Sequence, residues 1–382
     1  MAFTTAGTNT ELIKYARDVW ARGYIRENRL VKYQGTGVNS IIRLVKDLAG
    51  DGKQINVPLV DILNGSGKGS GTLVGNEEGI DNYGCSMWAD WLRHAVAWDK
   101  ATNKDNALNF KSLGVPMLNQ WYKRKLKEET IDAMLSIPTN STPTGFRGVS
   151  GARVNGIKWS DATAGNKNSW VTANSDRVVF GSQLSNYSAT FATAAGNVDT
   201  TNDRMSANVV SLMKRVAMST TSNKITPVSV GEDMQEMYVL FVGSKSMRDL
   251  RNDDAIQAAM REMIVKSEKG FANPLFRNGD IWWDNVLITE IPEIDERLTL
   301  SGIGAASSDV VPAFLCGASA MALVTGQMPR PTQRNETDYE FLTGLGIEGQ
   351  YGIGKVAKVP AGGSALKDWG MCTAFVSAVA DA

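Results

Sequence analysis

At 382 residues, 43% hydrophobic and 21% charged, the chain can bury a large core and lies far from the composition of disorder. Lys plus Arg and Asp plus Glu both number 40, giving a formal net charge of zero. That balance argues against a protein devoted to gripping nucleic acid, which would be basic, and offers little protection against self-association.

Residues 10–29 place Leu12, Ile13, Tyr15, Ala16, Val19, Trp20 and Tyr24 at helical spacing, with Asn9 or Thr10 as cap. This amphipathic stretch reads as an N-terminal arm that packs on something else through Leu12, Tyr15, Val19 and Trp20. Residues 55–96 then read as a long hairpin. An apolar strand over 55–63 opens into a glycine-laden tip with Asn64, Gly65, Gly67, Lys68, Gly69 and Gly71. The chain returns past Glu77 and Glu78 to a second strand over 88–96. An isolated hairpin is marginal in water and the sequence supplies no evident local surface for it, so the expectation is an arm that docks on a neighbouring subunit.

Residues 103–137 carry the longest helical pattern, with Gly114 and Pro116 expected to kink or split it and Pro138 to stop it. Its exposed face is expected to carry Lys123, Arg124, Lys125, Lys127, Glu128 and Glu129. Residues 139–200, rich in Ser, Thr, Asn and Gly, read as loops or irregular β structure with a strand at 177–180. A helix is predicted over 203–218 and a strand over 237–242. Helical sequence follows to 265, with Asp253-Asp254 as an N-cap signal. A turn is expected at 273–280 and one strand over 281–291. A further strand at 312–316 is expected to run into a small-residue helix at 318–325, with late strands at 355–359 and 371–378. No internal repeat is present, and the mixture is α+β rather than doubly wound.

The chemical inventory is nearly empty. Gly65 to Ser70 invites a phosphate-loop reading, but the spacing is wrong: Gly69 follows Lys68, and no helix follows to present its amides. His94 is the sole histidine and reads as a packed or half-exposed structural residue; it cannot by itself build a multi-histidine metal site. Cys85, Cys316 and Cys372, far apart and odd in number, indicate a reducing compartment and small core residues rather than disulfides. The acidic runs at 77–78, 128–132, 253–254 and 290–296 read as solvated faces or helix starts. For Glu77 and Glu78, salt bridging to another subunit is the second choice. No cofactor or metal is called for. The N-terminus lacks a secretory pattern, and the longest apolar run, residues 310–324, is broken by Pro312 and Gly317 and too short to span a bilayer.

Taken in order, these parts resemble a tailed-bacteriophage major capsid protein of the Hong Kong 97 type, in particular the subgroup typified by that of phage N-four. The resemblance rests on Leu73-Val74-Gly75-Asn76-Glu77-Glu78, Arg93-His94-Ala95-Val96, Leu118-Asn119-Gln120-Trp121 and Tyr238-Val239-Leu240-Phe241-Val242. Asp249-Leu250-Arg251, Asn273-Pro274-Leu275-Phe276 and Ala313-Phe314-Leu315-Cys316-Gly317-Ala318 complete the set. It implies an N-terminal arm (1–48), an extended loop (49–98) lying across an adjacent subunit, and a peripheral domain with a spine helix (99–140). An axial domain with interleaved peripheral strands (141–350) and a C-terminal return (351–382) follow.

It further implies self-assembly into the hexamers and pentamers of an icosahedral shell around packaged double-stranded DNA, assembled in the host cytoplasm and found in the virion. Implied partners are a separate scaffolding protein, since only about forty residues precede the loop, together with a portal and a decoration protein; no membrane is involved. Lys123, Arg124, Lys125 and Lys127 become candidates for non-specific contact with DNA at the inner surface. Some capsids of this fold crosslink a loop lysine; Lys68 is suitably placed, but no partner for it can be matched. Two other readings are a cellular compartment shell of the encapsulin kind and a carboxylate-dependent hydrolase.

Overall fold

The computed structural model describes residues 29–48, 52–60, 67–79, 82–105, 110–219, 224–230, 235–259, 276–277, 280–334, 341–359 and 365–380. The predicted N-terminal segment with Leu12, Tyr15, Val19 and Trp20 lies outside them, as do Asn64, Gly65 and most of the turn at 273–280.

Two sheets organise the chain. In the first, the strands run in the order Gln34–Gly35, Ile42–Val45, Met321–Arg334, Leu342–Lys355 and Asp90–Asp99, with Val154–Asn155 added alongside Leu342–Lys355. In the second the order is Phe276–Arg277, Asp280–Trp283, Val286–Glu290, Gln235–Val242, Val310–Cys316, Met371–Ser377 and Val178–Phe180, with Val228–Val230 beside Gln235–Val242. The helix Phe110–Met134 packs on the first sheet through Leu118, Tyr122 and Leu126, which join Leu345, Ile347, Tyr351 and Ile353 in one core.

The second sheet is covered on both faces. Val239, Phe241, Phe314 and Phe375 point into the core shared with the long helix. Leu240, Val242, Leu315 and Val376 point the other way, towards Val209, Met213, Met247 and Leu250 of the helices Ala207–Ser219 and Ser244–Arg251. That is why Tyr238 to Val242 is an unbroken apolar run: a strand with no wet face needs no polar alternation. Asp253 behaves as its position predicts, accepting from Ala255 N at 2.8 Å, and also takes Ala207 N at 3.1 Å, so one carboxylate caps two helix starts.

Several expectations change. The long helix passes through Gly114 and Pro116 without breaking. Pro116 is past the first turn and forfeits one ladder bond, yet the helix continues on both sides of it. At Gly114 an added Cβ would already touch Leu345 at 3.4 Å and Val96 at 3.5 Å. The single strand expected over 281–291 is a hairpin turned at Asp284 and Asn285, whose φ values of 48° and 58° suit short polar side chains in a two-residue turn. The helix expected at 318–325 is instead the start of the strand Met321–Arg334. Its residues alternate between two cores, Met321 and Leu323 facing the long helix and Ala322 and Val324 facing the hairpin base.

The region 139–200 holds more order than its composition suggests. The strand Val178–Phe180 is present, and the helix Ala164–Ala173 is capped by Thr163 Oγ1, which accepts from Asn166 N at 3.2 Å. That helix is held by Trp170, buried among Trp159 and Phe375.

Candidate subunit-docking arm

The hairpin is built from Gln54–Val60 and Asn82–Trp88, paired antiparallel from Gln54 opposite Trp88 to Val60 opposite Asn82. The expected return strand at 88–96 is therefore corrected: the chain turns at Ala89, and Asp90–Asp99 leaves the hairpin to pair with Leu342–Lys355. The corner is locked by Asn155, whose amide accepts from Trp88 N at 2.9 Å and donates to Trp88 O at 3.0 Å. Gly352 packs against the same corner, where a Cβ would lie 1.9 Å from Trp88 O.

The expectation that the hairpin lacks a local surface is also corrected. Val57, Leu59, Cys85 and Met87 form an alternating apolar face that lies on Val45, Leu48, Ala322, Val324 and Val356. Met87 is only 1% exposed. The strand ends at Val60, which is exposed.

Every described residue from Gly67 to Gly79 is exposed, and Cβ atoms built on Gly67, Gly69, Gly71, Gly75 and Gly79 would touch nothing. The tip nonetheless has structure. Asn76 N donates to Leu73 O at 2.9 Å, closing a turn in which Gly75 takes φ of 80°. Glu77 Oε2 accepts from Gly75 N at 2.7 Å and Thr72 Oγ1 from Val74 N at 3.3 Å. This turn holds Leu73 and Val74 out to solvent, 64% and 80% exposed. Lys68, Gly67, Gly69, Gly71, Glu77 and Glu78 are thus brought together on one projecting segment. Leu73 and Val74 were not among the predicted site residues; two adjacent aliphatics inside a polar, glycine-rich loop were the available signal.

The basic stretch of the long helix differs from its prediction. Lys123 is buried, 4% exposed, so it is not part of a solvated face. Lys127 pairs with Glu293 of the helix Glu293–Leu298. Lys125 and Arg124 both reach Glu128, at 3.6 and 3.0 Å, and only Arg124 stands fully in solvent. Helical spacing turns neighbours in sequence onto different faces, so a run of basic letters is not a basic surface. Glu129, also expected outside, is buried. It accepts from Arg153 Nε and Nη2 at 3.0 and 2.7 Å and from Tyr351 Oη at 2.6 Å. Burial opposes the Arg153 charge, but hydrogen bonding and attraction from Glu129 outweigh it and raise its pKa; burial, then the charge of Glu129, pushes the Tyr351 phenol well up.

A second buried network joins the two sheets near the C-terminus. Lys355 Nζ donates to Asp368 Oδ2 at 2.7 Å and lies 4.6 Å over the Trp170 ring, while Arg177 donates to the Asp368 carbonyl. Burial lowers the Lys355 pKa, with Asp368 offsetting part of the shift. Both networks are buried and tie together elements distant in sequence.

His94 is exposed but shares the helix-facing side of its strand with Leu92 and Val96, and it stacks on Trp121 of the long helix with ring centroids 4.3 Å apart, a structural placement. The three cysteines are free and buried; burial pushes Cys85 and Cys316 up and Cys372 up to about 12, so none is a ready thiolate. Among the described residues no group of three His, Cys, Asp or Glu side chains could hold a metal, and no helix is long and apolar enough to cross a membrane.

Comparison with known proteins gives one consistent result. The family described as "Phage capsid protein" matches residues 4–380. Among solved structures, the capsid of cyanophage Pam1 is 30% identical, with 94% of each chain covered and a TM-score of 0.80. The capsid of Ralstonia phage GP4 is 20% identical over 92% of this chain and 90% of its own, with a TM-score of 0.66. That of Helicobacter pylori bacteriophage KHP30 is 13% identical over 92% of both, with a TM-score of 0.61. The last two likenesses show the fold alone. No curated protein sequence matches the chain.

Proposed function

Because the chain belongs to the phage capsid protein family, with the Hong Kong 97-type fold, we propose that its copies form the hexamers and pentamers of an icosahedral shell enclosing double-stranded DNA. It is a major capsid protein and part of the virion. The observation that carries the reading, beside the family match, is the arm: a hairpin anchored at its base on its own core and bare at its tip. An exposed, ordered turn with two aliphatic side chains is the kind of feature an interface covers.

The chain acts through its interfaces and not as an enzyme, a reading supported by the structural role of its family. Assembly takes place in the host cytoplasm with a separate scaffolding protein, and a portal and a decoration protein are its further partners. Of the basic residues proposed to meet DNA without sequence preference, Arg124 and Lys125 remain candidates and Lys123 and Lys127 do not. The compartment-shell and hydrolase readings are not favoured, since the family and the structural neighbours are those of phage capsids.

Electron microscopy with sedimentation on the purified chain, with and without its scaffolding partner, tests the reading. Shells or capsomers are expected. A chain that stays monomeric under all conditions would overturn it.

A further inference from the structure

The sheet that carries the long helix treats its two outer edges in opposite ways. Beyond Val324, where pairing with Ile42–Val45 stops, the strand Met321–Arg334 has no paired strand on that side among the described residues. Pro329 and Pro331 lie two residues apart there and take two N–H donors off the same edge, a guard against edge-to-edge pairing. The strand Asp90–Asp99 forms the opposite edge and holds no proline.

Strand alternation fixes which way the backbone of Asp90–Asp99 points. The carbonyls of His94 and Val96 look towards Leu342–Lys355, 3.4 and 3.6 Å from Cβ atoms built on Gly346 and Gly344. The backbone groups of Arg93, Ala95 and Ala97 therefore look the other way. Loop 147–153 covers this edge at Trp91, whose carbonyl accepts from Arg153 Nη1 at 2.9 Å. Among the described residues no backbone bond outside the sheet ladder reaches Arg93, Ala95 or Ala97, and all three are exposed.

Such an edge is completed by another strand, and the sequence of this one is its own complement. Two copies laid antiparallel about a two-fold axis through Val96 put Arg93 opposite Asp99, Ala95 opposite Ala97 and His94 opposite Trp98, each pair made twice. Opposite charges meet on the face away from the long helix, and aromatic rings meet on the helix face. Moving the axis to Ala95 or Ala97 loses the match of Arg93 with Asp99. The helices leave room for this. Each packs over Leu345, Ile347 and Tyr351, one strand in from the edge, so the two would lie about 14 Å apart (three strand spacings), against roughly 8–10 Å for helices in direct contact. The crevice between them would be lined by the flank that carries Trp121 and, one turn earlier, Met117, which is 64% exposed. We propose that residues 93–99 pair antiparallel with the same residues of a second copy, so that one sheet runs through a two-fold axis. The arm takes no part in this contact, which buries the same patch on both partners and can join one ring of subunits to the next.

The proposal rests on the shell reading for its setting, and a register-specific thiol test separates the two. Val96→Cys puts a thiol at the axis, where opposed residues have Cα atoms about 4.5 Å apart, within disulfide reach. Ala97→Cys lies about 7–8 Å from its own copy and is out of reach. Assembled particles of each variant are oxidised with copper phenanthroline in air and run on a denaturing gel without reductant; the native cysteines are buried. Val96→Cys is expected to form covalent dimer about tenfold or more faster than Ala97→Cys. Well-formed particles that give no dimer from Val96→Cys, or faster dimer from Ala97→Cys, overturn the pairing and leave the shell reading standing. Ala95→Pro removes an outward N–H and spares the ladder to Leu342–Lys355; a chain shown by circular dichroism to be folded is expected to assemble about tenfold or more slowly. Assembly of that folded chain at the parent rate also overturns the pairing. A parent chain that forms no particles defeats the shell reading itself.

Discussion

The base and the tip of the arm are parts of one hairpin with opposite relations to the rest of the chain. At the base, side-chain alternation puts Val57, Leu59, Cys85 and Met87 on a core that the chain provides for itself. At the tip, bonds within a single turn join Thr72, Leu73, Val74, Gly75, Asn76 and Glu77, and every described residue from 67 to 79 is exposed. The base is settled by folding, whereas the proposed role of the tip lies in covering by another molecule. Stability and assembly should therefore respond to different residues a few positions apart.

The largest separation is expected between Met87 and Val74. Met87→Ala removes a buried side chain from the base and should cost about 2–5 kcal/mol of stability, read from denaturant unfolding of the unassembled chain. Val74→Asp should change that stability by no more than about 0.5 kcal/mol while sharply reducing shell yield. If both variants lost stability alike, the contrast between base and tip would disappear. A smaller effect is expected at the corner that joins the hairpin to the sheet. Gly352→Ala would drive a Cβ into Trp88 O and should cost about 1–3 kcal/mol through backbone displacement, lowering the melting temperature without altering a tip that still assembles.

The smallest is a pH effect far from the arm. Burial raises the Asp176 pKa, but hydrogen bonds and charge from Arg177 and Lys367 outweigh it, so the folded value lies below 3.8. A depressed carboxylate contributes stability above its unfolded pKa and loses it as pH falls through the folded value. Asp176→Asn should be less stable than the parent at neutral pH, and the gap should close as the pH falls below about 4. A gap that stayed constant to pH 2 would rule out the pairing.

What the sequence revealed follows from whether a signal was local. The unbroken apolar run Tyr238 to Val242 and the helical spacing of Val209, Met213 and Val216 are local signals, and both elements are found as expected. Lys123 looked solvated because its neighbours are basic; only the long helix packing on a sheet made elsewhere shows that it is buried. The paired strands Met321–Arg334 and Leu342–Lys355 were hidden for another reason. Glycines at 344, 346, 349, 352 and 354 suppress strand propensity, although Leu345, Ile347, Tyr351 and Ile353 keep a period of two. Several of those glycines are demanded by partners distant in sequence: a Cβ at Gly349 would meet Tyr122 Oη at 2.3 Å, and one at Gly354 the Asn155 side chain at 2.8 Å. The exposed arm tip was legible because its glycines answer to no such partner.

The most direct test of the contrast is the reactivity of a single thiol at Val74→Cys. The three native cysteines are buried and should stay silent towards a polar thiol reagent in the folded chain. In the unassembled protein the new thiol should react like an exposed one; in assembled shells it should be protected by about tenfold or more. Equal labelling in both states would contradict the claim that the tip is covered by another copy of the chain.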